Sequence, residues 1–592
     1  MNKSFKIVLF TVLALLIVSL SFFSFLNMDS VKDSILGMNG EAFVALNKEA
    51  RAARIKNPLK HSYAYFKFTK NQQLELKNLV RKNNGESVEV TLEFLEDYKK
   101  SKDTNFALGF LYEKDFKKEN KLYPSIESRP LVYGELPISE DYKNITLSFA
   151  VLPEEECPLG FFIYSKTKLL VKSVHFIEPK LGWSRNEESA AFCFSSNGGK
   201  ADFSFSVADF TEGKNLFFDE TLIKNNVFPK ILLGFSDIED IGTFASQVKV
   251  TLNYADEELY IRRAPHKVST VLQTSAFQEP FSLVSLVENA QMVTSVFMTQ
   301  NEKKLLPEEN KILTPLITDV GLVFKWNTDF WRCKDYELYE WENFPGVLLF
   351  DFVDYEKQNL FFTRLAYFVE KAGYKGTFVT DEFIKKAHGY NAHDYKAEDL
   401  ARFFSLAEQQ NVILNNEEKL LKEILLKNGI IIENKSSRGY EAGVGAVISI
   451  SRESKDYQRY TLLAHECWHG IYFVDEDFRN VSYVAYSLFD PVSMDFLKTY
   501  WEKQPTLNYD RKDEYLMRNE FMAYILQNPI SKTQEYWVSH AKWNSVQRDE
   551  KTLADYVIEN NALSFREASE FLSTYVFDHW GLAAGRVFLI GR

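Results

Sequence analysis

Period-two alternation of apolar and polar residues runs through the first half of the chain. SVEVTLEFL (87–95), FALGFLYE (106–113), ITLSFAVL (145–152), GFFIYS (160–165) and LLVKSVHFIE (169–178) carry it, separated by NNGE, SKD and LPEEE. Such runs between turn-forming clusters predict β-strands with one face buried. A second series, FSFSV (203–207), ILLGFS (231–236), QVKVTLNY (247–254), ELYIRR (258–263) and KVSTVLQT (267–274), continues the rhythm. Together they predict an all-β sandwich region over 63–275, built as one domain or two.

Beyond 340 the period changes. FPGVLLFDFV (344–353) predicts a buried strand, and KQNLFFTRLAYFVEKAG (357–373) places apolar residues at helical spacing up to a glycine. GTFVT (376–380) predicts another strand. KAEDLARFFSLAEQQ (396–410) and NNEEKLLKEILLKNG (415–429) predict helices, the second with an Asn cap and a glycine stop. The GAVISIS stretch (445–451) reads as a strand and 455–473 as a helix, followed by a helix within 510–528 that ends before Pro529. The fold class expected is multidomain: the β-sandwich region, an α/β (α+β) module over 341–435, and a mainly helical part over 436–592. Residues 27–62 and 276–340 are expected as linker and connecting segment.

Composition narrows the function classes. The 592 residues are 45% hydrophobic and 26% charged, the balance of folded material, and the 15% aromatic content suits β-rich cores. A net charge of −12 without a Lys/Arg run argues against nucleic acid as partner, because phosphate neutralisation needs clustered cations. Residues 7–26 carry no charge and follow Lys3 and Lys6. They predict an export segment over 1–26, either a signal peptide or a retained membrane anchor, with the rest of the chain periplasmic, extracellular or outward-facing. Of the four cysteines, Cys157 and Cys193 fall in the β region, and their spacing does not establish a bridge.

Chemistry concentrates in TLLAHECWHG (461–470). His465 and His469 lie one turn apart on one helix face, where two imidazoles can share a Zn²⁺. Glu466, beside the first histidine, can act as general base to a metal-bound water without being a ligand. A chance HExxH in a chain of this histidine content is an event of roughly one in a hundred, so a third ligand is needed to sustain the reading. Glu520 supplies one: it sits in a predicted helix among Leu516, Met517, Phe521 and Ala523, a costly place for an uncompensated carboxylate. His61, His175 and His266 have no partner at ligand spacing. GYNAHDY (389–395), with His393 and Asp394, reads as a capped polar loop before a helix.

HECWH followed by the glutamate of NEFMAY resembles the zincin metallopeptidases of the gluzincin type, over about 440–545. The resemblance implies His465, His469 and Glu520 as zinc ligands, Glu466 as catalytic base, and a peptide or protein substrate. Where many members carry an Asp four residues after the glutamate, this chain has Tyr524. Tyr524, His540 and Tyr515, in that order, are the candidates for the donor that stabilises an oxyanion. The GAVISIS strand is expected to be the sheet edge that takes an extended peptide. Cys467 and Trp468 are expected as packing residues. The alternative function is a surface adhesin or a carbohydrate- or protein-binding envelope protein with a non-catalytic zincin domain.

Overall fold

A computed structural model describes residues 35–299 with interruptions, and 312–592 except 388 and 435–438. The larger interruptions are 96–105, 117–131, 134–142, 196–214, 218–229, 237–246, 253–256 and 278–282. Residues 7–26 and the FSFSV run lie outside the described residues. Among the described residues no helix is long and apolar enough to cross a membrane. The fold joins a β-rich N-terminal region to a mainly helical C-terminal region, and the chain divides into two compact units, 1–219 with 293–302, and 220–292 with 303–592.

In the first unit the alternating segments become strands as expected. Leu169–Ile177, Glu86–Phe94, Asn144–Val151, Ser189–Ser195, Lys180–Asn186 and Val293–Thr299 lie side by side in that order. A second sheet runs Val44–Ala45, Ser62–Lys67, Gly160–Ser165, Phe106–Leu111, Val132–Tyr133. The stretch expected as a linker is part of this unit: helix Lys48–Arg54 is capped by Asn47, and Phe43 packs edge-on against Phe66, Phe68 and Phe161. Helix Lys70–Asn83 interrupts the strands, because Leu76 and Val80, one turn apart, reach the core together. No disulfide is formed among the described cysteines, Cys157 and Cys193 included.

The second unit contains the sheet that positions the site. Its strands run Leu316–Thr318, Tyr336–Trp341, Val347–Phe352, Ala446–Ser451, His393–Lys396. Val347–Phe352 and Ala446–Ser451 are parallel, whereas His393–Lys396 is antiparallel to Ala446–Ser451 and forms the edge. Three sequence expectations are corrected here. The GAVISIS strand is interior, with both of its edges already paired. HDYK is a strand rather than a capped loop, since His393 and Tyr395 turn inward and Tyr395 joins the core beneath helices Tyr355–Val369 and Ala397–Gln409. GTFVT forms no strand; Thr380 instead caps the short helix Asp381–Ile384.

Helix Asp456–Val474 crosses the other face of this sheet and is buried continuously from Leu463 to Tyr472. Two features fix it there. Asp351, fully buried on strand Val347–Phe352, accepts from Arg459 Nη1 and Nη2 at 2.8 and 2.7 Å and from Arg452 Nε at 2.7 Å. At the other end Gly470 lets the helix touch the strand: a Cβ there would stand 2.9 Å from Val347 Cγ1.

Candidate metal centre

The two histidines project from the buried middle of helix Asp456–Val474 towards helix Glu514–Leu526. That second helix starts where Asp513 accepts from the Leu516 amide at 3.0 Å, and it buries Glu520 among Met517, Phe521 and Ala523. Trp468 ties the pair together by donating from Nε1 to the Leu526 carbonyl at 3.0 Å. Trp468 and Cys467 are wholly buried, consistent with packing roles.

Three candidate ligand atoms converge. His465 Nε2 and His469 Nε2 are 3.0 Å apart, and Glu520 Oε2 lies 3.5 Å from the first and 3.9 Å from the second. Bonds of 2.0–2.1 Å to one tetrahedral ion separate ligand atoms by about 3.3–3.4 Å, so this triangle has the size of one face of a zinc site. Glu520 Oε2 is buried and has no hydrogen-bond partner among the described residues. Burial, partly opposed by the Glu520 carboxylate, lowers the His469 pKa to about 4, which keeps its imidazole neutral and able to ligate. The residues present fit a divalent metal with mixed imidazole and carboxylate ligation.

Asp394, at the sheet edge, also reaches the site. Its Oδ2 lies 3.7 Å from His469 Nδ1. Its carboxyl also hydrogen-bonds that of Glu466, and Asp394, Glu466 and His469 form a second close group. Burial first, then the Asp394, Glu520 and Glu370 carboxylates, push the Glu466 pKa well above the usual range. Burial likewise raises Asp394 to about 6. Glu370 is raised by burial and by Asp394 and Glu520, while burial depresses the neighbouring Lys371 to about 8. Four carboxylates held this close in a low-dielectric interior favour a cation among them.

No protein-family model, no curated protein and no solved structure matches this chain.

The three donor candidates fall in different places. Tyr524 packs its ring edge-on to His465 at 4.8 Å, between Trp501 and Trp537. His540 is held in an aromatic box by Tyr536 and Trp543, its Nδ1 2.8 Å from the Tyr536 carbonyl of its own helix, and it is not brought to the ligand cluster. Tyr515 sits 40% exposed beneath Lys396 Nζ, on the wall of a cavity of about 430 Å³. That cavity follows the edge strand and reaches Glu370, Asp394, Phe473 and Asn519.

Sequence reading missed Asp394 as part of the site, along with Glu370, Gln527 and the buried Tyr390 and Tyr509, both of which feel the Glu520 charge. Gln527 Oε1 lies 3.0 Å from His465 Nδ1. The one sequence signal for Asp394 was the short alternation of HDYK, buried, open, buried, open, directly before a helix.

Proposed function

We propose that this chain is an exported zinc metallopeptidase of the gluzincin type, with His465, His469 and Glu520 as ligands and Glu466 as general base. The observation carrying this reading is the convergence of Nε2, Nε2 and Oε2 at 3.0, 3.5 and 3.9 Å, with the partnerless Glu520 Oε2 at the apex. Bound there, zinc supplies Lewis-acid polarisation of a peptide carbonyl and acidification of a water. Glu466 removes the proton from the attacking water and returns it to the leaving amine. The Asp394 carboxyl, hydrogen-bonded to it, holds it in place. Tyr524, against His465, is the first choice for the hydroxyl that meets the developing oxyanion.

The edge strand His393–Lys396 borders the cavity, and an extended peptide laid along it would present its scissile bond near Glu466. The N-terminal β region, read as a sandwich, would recruit substrate or hold the enzyme at the surface. A non-catalytic domain in an adhesin has less support, because both histidines, the base and the third carboxylate are present together.

Metal analysis of the full chain tests the reading. Zinc at about one per chain, lost in His465→Ala and Glu520→Ala, supports it; a wild-type chain that binds no zinc overturns it. Glu466→Gln should keep the metal and lose at least about a hundredfold in peptide hydrolysis.

A further inference from the structure

The ligand histidine His465 is itself held. Its Nδ1 is 3.0 Å from Gln527 Oε1, and its Nε2 is the atom that faces His469 and Glu520. Gln527 follows the last residue of the helix that carries Glu520, is buried, and caps that helix by donating its backbone N–H to the Ala523 carbonyl. Its Nε2 is buried and makes no hydrogen bond among the described residues. The sequence places Tyr524 where an orienting carboxylate is expected, but Tyr524 meets His465 through its ring, edge-on. The acceptor beside Nδ1 is Gln527 Oε1 instead.

We infer that Gln527 is the positioning residue for His465: its amide oxygen accepts the Nδ1–H, which fixes the tautomer and turns the Nε2 lone pair towards the metal. The physical basis is general. A metal-bound imidazole donates its other N–H to an acceptor that sets ring orientation, and loss of that acceptor weakens metal affinity about 10–100-fold. A neutral amide does this here in place of a carboxylate. In a pocket that already gathers Glu370, Asp394, Glu466 and Glu520, a further negative charge would raise the cost of the metal-free fold. The geometry thus assigns orientation of one ligand to Gln527 and leaves Tyr524 free for substrate.

This inference rests on the metallopeptidase reading above, and its test separates the two. Zinc affinity of the full chain is measured by competition with a chromophoric chelator for wild type, Gln527→Met and Gln527→Glu, with circular dichroism of each metal-free variant. Gln527→Met keeps the volume and removes the acceptor, so zinc binding should weaken about 10–100-fold. Gln527→Glu restores an acceptor and should recover most of that loss. Equal zinc affinity in wild type and a folded Gln527→Met overturns the inference while the zinc reading stands. Should Gln527→Met fail to fold, Gln527→Glu decides: affinity below wild type by more than about tenfold overturns it. Absence of zinc binding by the wild type overturns both.

Discussion

Asp394 and His469 lie on different elements of the fold, yet the carboxylate Oδ2 of one is 3.7 Å from Nδ1 of the other. Asp394 also hydrogen-bonds Glu466, so one side chain of the sheet edge contacts both a proposed ligand and the proposed base. Asp394→Ala should therefore weaken zinc binding about tenfold or more and depress kcat further through Glu466. A zinc titration combined with steady-state kinetics checks this, and unchanged values in both would remove Asp394 from the site.

Tyr524→Phe should leave zinc affinity within about threefold and lower kcat by about a hundredfold, because the ring contact with His465 persists while the hydroxyl is lost. Tyr515→Phe and His540→Ala should keep kcat near wild type, as neither residue reaches the ligand cluster. A kcat loss in His540→Ala larger than in Tyr524→Phe would reverse this order.

Asp351→Ala leaves Arg459, 4% exposed, without its carboxylate in the interior. Removing one partner of a buried pair costs about 3–5 kcal/mol, and denaturant unfolding of the metal-free chain should show it as an earlier transition of the second unit.

At Gly470 the expected result is overpacking. Gly470→Ala places a methyl 2.9 Å from Val347 Cγ1 and should destabilise by about 1–3 kcal/mol. Val347→Ala in the same chain removes the clash, so the double variant should lose less than the sum of the two single changes.

Glu550 offers a pH-dependent contrast. It sits at a kink in helix Asn544–Glu559, with Oε2 buried and unpartnered among the described residues, and burial followed by Asp549 raises its pKa to about 8. The folded chain thus keeps this proton up to about pH 8, whereas the ordinary value is 4.5. Its contribution favours folding below pH 4.5 and is lost as pH rises through 8. Glu550→Gln should match wild type at pH 4.5 and exceed it by about 2 kcal/mol at pH 9, after allowance for solvent screening. Thermal unfolding at the two pH values checks the sign.

Local periodicity made most elements legible. The strands of the β-rich half, the helix carrying His465 and His469, and the helix carrying Glu520 follow from spacing alone, because a side chain's face depends only on its own neighbours in sequence. The same logic pointed to the proposed chemistry: two imidazoles one turn apart, and a carboxylate too apolar in its surroundings to stay uncompensated. The sequence pattern could not show that HDYK rather than GAVISIS forms the sheet edge, because strand order depends on pairing between segments far apart in the chain. Nor could it show Asp394 at His469 or Gln527 at His465, since those contacts exist only once three elements pack together. Residue types and their faces were thus determined by the sequence itself; which atoms share a hydrogen bond around the ligands was decided by the tertiary structure, where distance across elements replaces spacing along them.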